Sequence, residues 1–337
     1  MRALVVTAPY ESSVLEVEPP TAGPGLVVVD VERVGLCGTD VELYDGEMAY
    51  LHSGQARYPI RLGHEWSGTV SAVGAGVDPA LVGRRTTGDT MLGCQRCHRC
   101  RTGRQHLCAD RYEIGIRHGW PGALAEQLPV PAWALHLLPE TVDPVAGAMV
   151  EPGGNALRAV RAAALAEGSR LLVMGPGTIG LLAARFAVAQ GAEVHVLGLP
   201  GPAVDFARTL GLAGVWTREE LPEQPYDAVV DASGSASVPA EALELVEPGG
   251  RVVCISIAGR PAPIDARELT LKDVTAVGIL SASPGLAGAL AEYASGRVDP
   301  RPLVAATVGL GEVGDVLSGH RPPGVGPAPK IQVDPRC

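Results

Sequence analysis

No run of apolar residues in this sequence is long enough to cross a bilayer. The longest, about Leu171 to Ala184, is interrupted by glycines and stops at Arg185, whereas a span needs roughly 20 apolar residues. A targeting segment is also missing: the opening MRALVVTAPYE has one short apolar stretch before Pro and Glu, less than a signal peptide's apolar region. Both absences point to a cytoplasmic protein with no membrane partner. There is no excess of positive charge. A net charge of −10 argues against nonspecific binding to nucleic acid or anionic lipid and favours solubility. Phenylalanine is nearly absent, with two residues, yet 46% apolar and 19% charged residues make an ordinary soluble globular mixture. No internal repeat or low-complexity tract is present.

A chain of 337 residues exceeds what one hydrophobic core usually serves, so more than one domain is expected. Residues 1–150 read as β-rich, with short Val-rich runs (Ala3–Val6, Leu26–Val31, Gly68–Val73) between Gly and Pro turns. From there to about residue 290 the pattern changes. Strands Leu171–Met174, Glu193–Leu197, Asp227–Asp231, Arg251–Ser256 and Val274–Ile279 are expected to alternate with helices Ile179–Gln190, Val204–Leu210 and Ala240–Leu245. That alternation predicts an α/β fold with a doubly wound parallel sheet over 151–290. Residues 291–337 return to short strands and loops, expected to pack back on the first domain.

Seven cysteines, an odd number and clustered, favour metal ligation over disulfides in a chain without a secretion signal. Cys94, Cys97, Cys100 and Cys108 have the spacing C-x2-C-x2-C-x7-C. Two-residue gaps let thiolates converge on one tetrahedral ion, and four thiolates leave no open position, so the site at 93–109 would be structural zinc. Two other readings stand beside it. The spacing resembles ferredoxin-type runs, though no Pro follows Cys108. The interleaved basic residues Arg96, Arg99, Arg101 and Arg104, with His98 and His106, suit a nucleic-acid module, which the acidic chain disfavours.

Cys37, His64 with Glu65, and Glu151 are scattered, and each alone is an ordinary core or polar residue. Together, one thiolate, one imidazole and one or two carboxylates can build a zinc site with an open position, which is what a catalytic zinc needs. The string GPGTIG at 175–180 follows an apolar strand and opens an Ala-rich helix. Gly175 allows the tight turn, Gly177 lets backbone approach a pyrophosphate, and Gly180 permits close helix–strand packing. The acid that binds ribose hydroxyls in NAD sites, about twenty residues on, is replaced by Gly198. Its absence removes repulsion against a 2′-phosphate and favours NADP. Arg208 is the nearest base, and NAD stays open.

The order and spacing of CGTD at 37–40, GHE at 63–65, the four-cysteine lobe, Glu151-Pro, GPGTIG and DASG at 231–234 resemble the zinc-containing medium-chain dehydrogenase/reductase family, in its polyol, glucose and threonine dehydrogenase branch. The resemblance runs from residue 1 to about 335. It implies a GroES-like β-rich catalytic domain joined to a Rossmann cofactor domain, two zinc ions per chain, and a homodimer or homotetramer acting on a small hydroxyl-bearing substrate. Cys37, His64 and Glu65 and/or Glu151 would hold the catalytic zinc. Thr39 would take the substrate's hydroxyl proton, and Asp40 would orient His64. Gly175, Gly177, Thr178, Ile179, Gly180, Gly198 and Ser233 would contact NADP or NAD. The chain departs from the family at two positions: Glu42 stands where many relatives carry a His, five residues after the ligand Cys, and Met91 stands where threonine dehydrogenases carry one, three residues before the lobe's first cysteine. With Gly198, these changes speak against L-threonine as substrate. The small residues after Glu151 would widen the pocket or repack it, and loops Tyr44–Tyr58 and Arg111–Trp120 would set specificity. Two alternatives remain: a zinc-independent quinone or enone reductase of the same fold, and a binding protein that kept the fold.

Overall fold

A computed structural model describes all 337 residues. Two β systems organise it. The first is a seven-stranded sheet in which strands Val304–Gly309, Lys330–Asp334, Leu26–Gly35, Glu65–Val73, Arg85–Gly88 and Leu135–Leu137 follow one another, with Gln127–Pro131 also paired to Leu26–Gly35. Its strands place Val27, Val29, Val31, Trp66, Leu128 and Val130 in a common apolar core. In strand Leu26–Gly35, Val27, Val28 and Val29 are buried in succession, and polar residues enter only from Asp30. The C-terminal strand Lys330–Asp334 runs antiparallel to Leu26–Gly35, with Gln332 opposite Gly35.

The second is a six-stranded parallel sheet, in spatial order Gly214–Trp216, Glu193–Leu197, Arg170–Met174, Tyr226–Asp231, Val246–Cys254 and Thr275–Gly278. Leu171, Leu172, Val173 and Met174 are all buried, as a strand covered on both faces requires. Helices Thr178–Ala189, Pro202–Arg208 and Val238–Leu245 make crossovers.

The sequence reading of this fold needs adjustment at its edges. Strand Gly214–Trp216 has no counterpart in the sequence pattern, because three residues are too few to show a period. The first sheet's long strands extend beyond the Val-rich runs, to Gly35 and back to Glu65. Charged Glu32 and Arg33 break the apolar pattern there without breaking the ladder, because they lie half-buried at a register shift. Those extensions bring the strand ends that carry the site's residues side by side.

Helix Val150–Ala163 touches both systems. Its glycines do not open a pocket. A Cβ on Gly153 would collide with the Tyr293 hydroxyl, and one on Gly154 would lie 2.9 Å from Ala282. Tyr293 donates to the Met149 carbonyl at 3.1 Å, so the missing side-chain volume is filled by repacking. No helix is long and apolar enough to cross a membrane.

Candidate active site and metal centres

Where strand Leu26–Gly35 ends, the chain turns through Cys37 into helix Gly38–Asp45. Cys37 caps that helix, and its backbone N–H donates to Asp40 Oδ2 at 2.9 Å, satisfying one of the helix's free donors. Asp40 is fully buried, and its Oδ1 also accepts from the Gly63 N–H at 3.2 Å. The same oxygen faces His64 Nδ1 at 3.4 Å, long for a hydrogen bond, and that nitrogen has no other partner. Nε2 is therefore the ring nitrogen left to meet a metal. Glu65 opens the neighbouring strand directly opposite Gly35, where a Cβ would collide with its carboxylate. One donor atom each from Cys37, His64 and Glu65 lies within 4.8 Å of the others.

Glu151, in the first turn of helix Val150–Ala163, stands just outside this group but within its field. Burial raises its carboxyl to about 7, with the Glu65 charge adding and His64 opposing. Asn155 Nδ2 donates to its Oε1 at 3.0 Å. Burial also disfavours charge on His64, but the Asp40 carboxylate outweighs it and holds the imidazole well above its ordinary range. The cluster thus favours a cation at its centre. Thr39, half-buried, lies between Cys37 and Asp40.

Sequence reasoning missed Lys330. Its ammonium is buried, donates to Glu65 Oε2 at 2.6 Å and to the Leu36 carbonyl at 2.7 Å. Burial would lower its pKa, yet the Glu65 and Cys37 charges prevail and hold it above the ordinary lysine value. A signal was available. The chain has two lysines, Lys272 and Lys330, among its 27 basic residues. Both are committed: Lys272 Nζ donates to the Leu243 and Glu244 carbonyls, capping a helix end. A chain that otherwise uses Arg keeps Lys where a compact charge is needed.

The four-cysteine lobe closes on itself. Sulfur–sulfur distances are 3.6 Å for Cys97–Cys100, 3.8 Å for Cys97–Cys108 and 4.0 Å for Cys94–Cys100. A tetrahedron of Zn–S bonds of about 2.3 Å has edges of roughly 3.8 Å. An iron–sulfur cluster interposes several atoms and would spread the thiols further apart. Backbone N–H groups of Arg96 and Cys97 bring the Cys94 thiol down to about 6, while burial pushes Cys100 up to about 12. Crowded thiols of this kind are relieved by a cation. The lobe is anchored by Gln105 Nε2, which donates to buried Asp89 at 3.0 Å; Asp89 also accepts from Ser283 at 2.7 Å.

At the nucleotide turn, Gly175 has φ +111°, and a Cβ there would lie 2.7 Å from the Ala232 carbonyl. A Cβ on Gly180 would collide with the Gly175 carbonyl, whereas one on Gly177 meets no protein atom within 4 Å. Packing within the protein explains Gly175 and Gly180, whereas no protein neighbour requires glycine at 177. Thr178 begins the helix and Ile179 is half-buried beside it. Ser233 donates through N and Oγ to Asp231 Oδ1, at 2.9 and 2.7 Å. At Gly198 a side chain would crowd Pro176 and Val204, both 2.8 Å from its Cβ. Arg208 is already held by Asp205 and Glu220, at 3.3 and 2.7 Å. Tyr44, a candidate substrate contact, instead donates to the Tyr10 carbonyl at 3.1 Å from a buried position.

Two family models match the chain: the alcohol dehydrogenase GroES-like domain over residues 23–140, and the zinc-binding dehydrogenase over 178–295. An L-threonine 3-dehydrogenase of Saccharopolyspora erythraea is 33% identical over 292 residues, covering 83% of each chain. A 2-dehydro-3-deoxy-L-galactonate 5-dehydrogenase of Pseudoalteromonas atlantica is 30% identical and covers 87% of each. A Sinorhizobium meliloti structure described as a zinc-binding dehydrogenase bound to NADP aligns with TM-score 0.89 and 28% identity, over 99% of both chains.

Proposed function

The chain belongs to the zinc-containing medium-chain dehydrogenase family, and from that membership we propose that Cys37, His64 and Glu65, with Glu151 as the exchanging carboxylate, hold the zinc at which a secondary alcohol is oxidised. As a member, the protein is an NAD(P)-dependent oxidoreductase of alcohols or polyols. The observation that carries the ligand assignment is the approach of three donors of different chemistry to within 4.8 Å. A second carboxylate waits at the edge. The substrate class is a polyol, sugar or cyclitol, and the cofactor is NADP or NAD.

Zinc, when bound, makes an alcohol hydroxyl far more acidic, and the nicotinamide supplies the hydride acceptor. The chain's own residues do the rest. Thr39 takes the hydroxyl proton and passes it outward. Asp40 fixes the His64 ring through Nδ1, leaving Nε2 for the metal. Lys330 balances the Glu65 charge while no ion is bound. Gly177 exposes backbone N–H groups at a helix N-terminus to the pyrophosphate. Overall, the carbinol carbon gives up a hydride and its oxygen a proton, and the carbonyl product leaves.

The test is zinc analysis together with cofactor reduction across a panel of polyols, sugars, cyclitols and L-threonine. Two zincs per chain and growth of reduced-cofactor absorbance are expected. One zinc per chain, with turnover of quinones or enones alone, would overturn the reading. We place the protein in the cytoplasm as a homodimer or homotetramer. The unpaired edge strand Thr275–Gly278 and the exposed Ile257 and Leu271 near it support self-association, and light scattering measures it.

A further inference from the structure

We propose that Arg117 is a receptor for the carboxylate of the substrate, so that the alcohol oxidised is a polyol acid rather than a neutral polyol. This rests on the reading of the Cys37–His64–Glu65 cluster as the catalytic centre.

Arg117 is 7% exposed, and its Nε has no hydrogen-bond partner. The nearest carboxylate, Glu113, is 3.7 Å away, beyond hydrogen-bonding distance. Glu113 Oε1 is already engaged. It accepts from Arg111 Nε at 2.8 Å and from the Tyr50 hydroxyl at 3.2 Å. Arg111 in turn donates to the Cys108 carbonyl and to Tyr50. Two guanidiniums therefore share one carboxylate, and Arg117 is the spare. It lies over the Tyr50 ring, 5.4 Å from its centre, a contact that orients the cation without using its N–H donors. A buried cation with unused donors is costly unless something pairs with it.

The backbone on both sides of Arg117 is tied to the segments that carry the metal donors. Arg117 and Glu113 bond to each other's backbones across a tight hairpin. At its turn Gly115 presses on Gly63, where a Cβ would lie 2.8 Å from the Gly63 carbonyl. His64 is the next residue, and its carbonyl accepts from Thr90, whose own carbonyl accepts from Ile114 in the hairpin. The other side is helix Ala49–His52, which carries Tyr50. It is tied to the helix capped by Cys37 through Met48 N–H and the Glu42 carbonyl, 2.9 Å apart. Gln55 joins the two sides by accepting from the His118 N–H at 2.8 Å. These are the two loops from which the sequence reading drew specificity.

The charge count selects the anion. One unmatched positive charge fits a carboxylate. A dianionic phosphate would call for a second free cation, and Arg111 is engaged. A planar guanidinium also matches a carboxylate in geometry.

The test uses the zinc-loaded enzyme with five- and six-carbon aldonates and the matching alditols, alditol phosphates and L-threonine. Turnover is followed by cofactor reduction and binding by calorimetry. The wild type should prefer at least one aldonate over its alditol by about 10- to 100-fold in kcat/KM, the range expected for hydrogen bonds to a charged group. Arg117→Met should erase that preference through KM, leave alditol kcat/KM within about threefold, and keep or raise the melting temperature. Arg117→Lys should retain part of the preference. Equal binding of aldonates and alditols by the wild type would overturn the proposal, even if alcohols are oxidised. So would a preference for alditol phosphates, or an Arg117→Met variant that loses melting temperature and all substrates alike. If aldonates bind through Arg117 yet no alcohol reduces the cofactor, the catalytic reading fails and the carboxylate site stands.

Discussion

The four-thiol lobe and the donor cluster beside Lys330 both bring metal-binding atoms into contact, but they are assembled in opposite ways. The lobe takes its donors from fifteen consecutive positions, Cys94 to Cys108. Its thiols are one chemical type, and the segment turns back on itself through two short helical turns, His98–Arg101 and Gln105–Leu107. Little outside the lobe is needed to bring the sulfurs together. The other cluster draws on a helix cap, the start of one strand and a helix first turn, and its balancing cation comes from the C-terminal strand. It exists only if the seven-stranded sheet is in register, because Gly35 must oppose both Glu65 and Gln332. A local cluster is a small fold around its ion; a dispersed one is a consequence of the whole fold. The dispersed arrangement can leave a coordination position open, since no single loop needs to wrap the ion.

Breaking each cluster in turn puts that contrast to the strongest test. Cys37→Ser should cost the catalytic zinc and at least about a thousandfold in kcat/KM, given that a metal supplies several kcal/mol of transition-state stabilisation. Zinc content should fall from two per chain to one, with the lobe's ion retained and melting temperature little changed. Cys100→Ser should do the reverse, releasing the lobe's zinc and lowering melting temperature first. Activity would follow because Gln105 anchors the lobe to Asp89, and Asp89 to Ser283. Zinc analysis, thermal melts and rates on the two variants give a crossed pattern. If Cys37→Ser keeps full activity, or if both variants lose both ions, the division of labour is wrong.

Lys330→Met addresses the dispersed cluster alone. Removing one partner of a buried pair leaves the other charge uncompensated, at about 3–5 kcal/mol. The loss should be smaller in zinc-loaded protein, where the ion can take over the balancing of Glu65. Joining Glu65→Gln to Lys330→Met should recover much of the stability without recovering the rate. Denaturant melts of apo and zinc-loaded protein measure this. An equal loss in both forms would show that Lys330 supports packing rather than the charge of the centre.

The same contrast governs what could be read from the sequence. The cysteine spacing carried its geometry on its face, because adjacent ligands are close in space by virtue of being close in the chain. The parallel sheet was also legible: Leu171–Met174 is apolar throughout and is followed by glycines at 175, 177 and 180. The dispersed donors could be grouped only by the order of their motifs. Arg117 was out of reach, and for Lys330 the only signal was the chain's scarcity of lysine, not its place in the strand. A lysine in KIQVD reads as the polar start of a strand, and Arg117 as one more base in a turn. What sets them apart is a missing partner or a distant one, and neither leaves a local pattern. The glycines after Glu151 were ambiguous for a related reason. Glycine marks space, but Tyr293 and Ala282, about 130 residues away by their numbers, decide whether that space is filled.

The smallest effect concerns the edge strand of the seven-stranded sheet, Leu135–Leu137. His136, on strand Leu135–Leu137, is held below its ordinary value by burial, which the Asp89 charge only partly opposes. Because its folded pKa is depressed, the unfolded chain binds the proton more readily. Its contribution to stability is therefore fully present above the unfolded value of about 6.5 and declines as pH falls toward the folded value. His136→Gln should flatten that decline on the acid side of about pH 6.5. At pH 8 the variant and the parent should melt within a degree or two of each other. Melting curves over that range, taken with the zinc-loaded protein, give the comparison. A variant whose pH profile parallels the parent's would mean that His136 keeps enough access to water to titrate alike in both states. The acid sensitivity of the fold would then have its source elsewhere than His136.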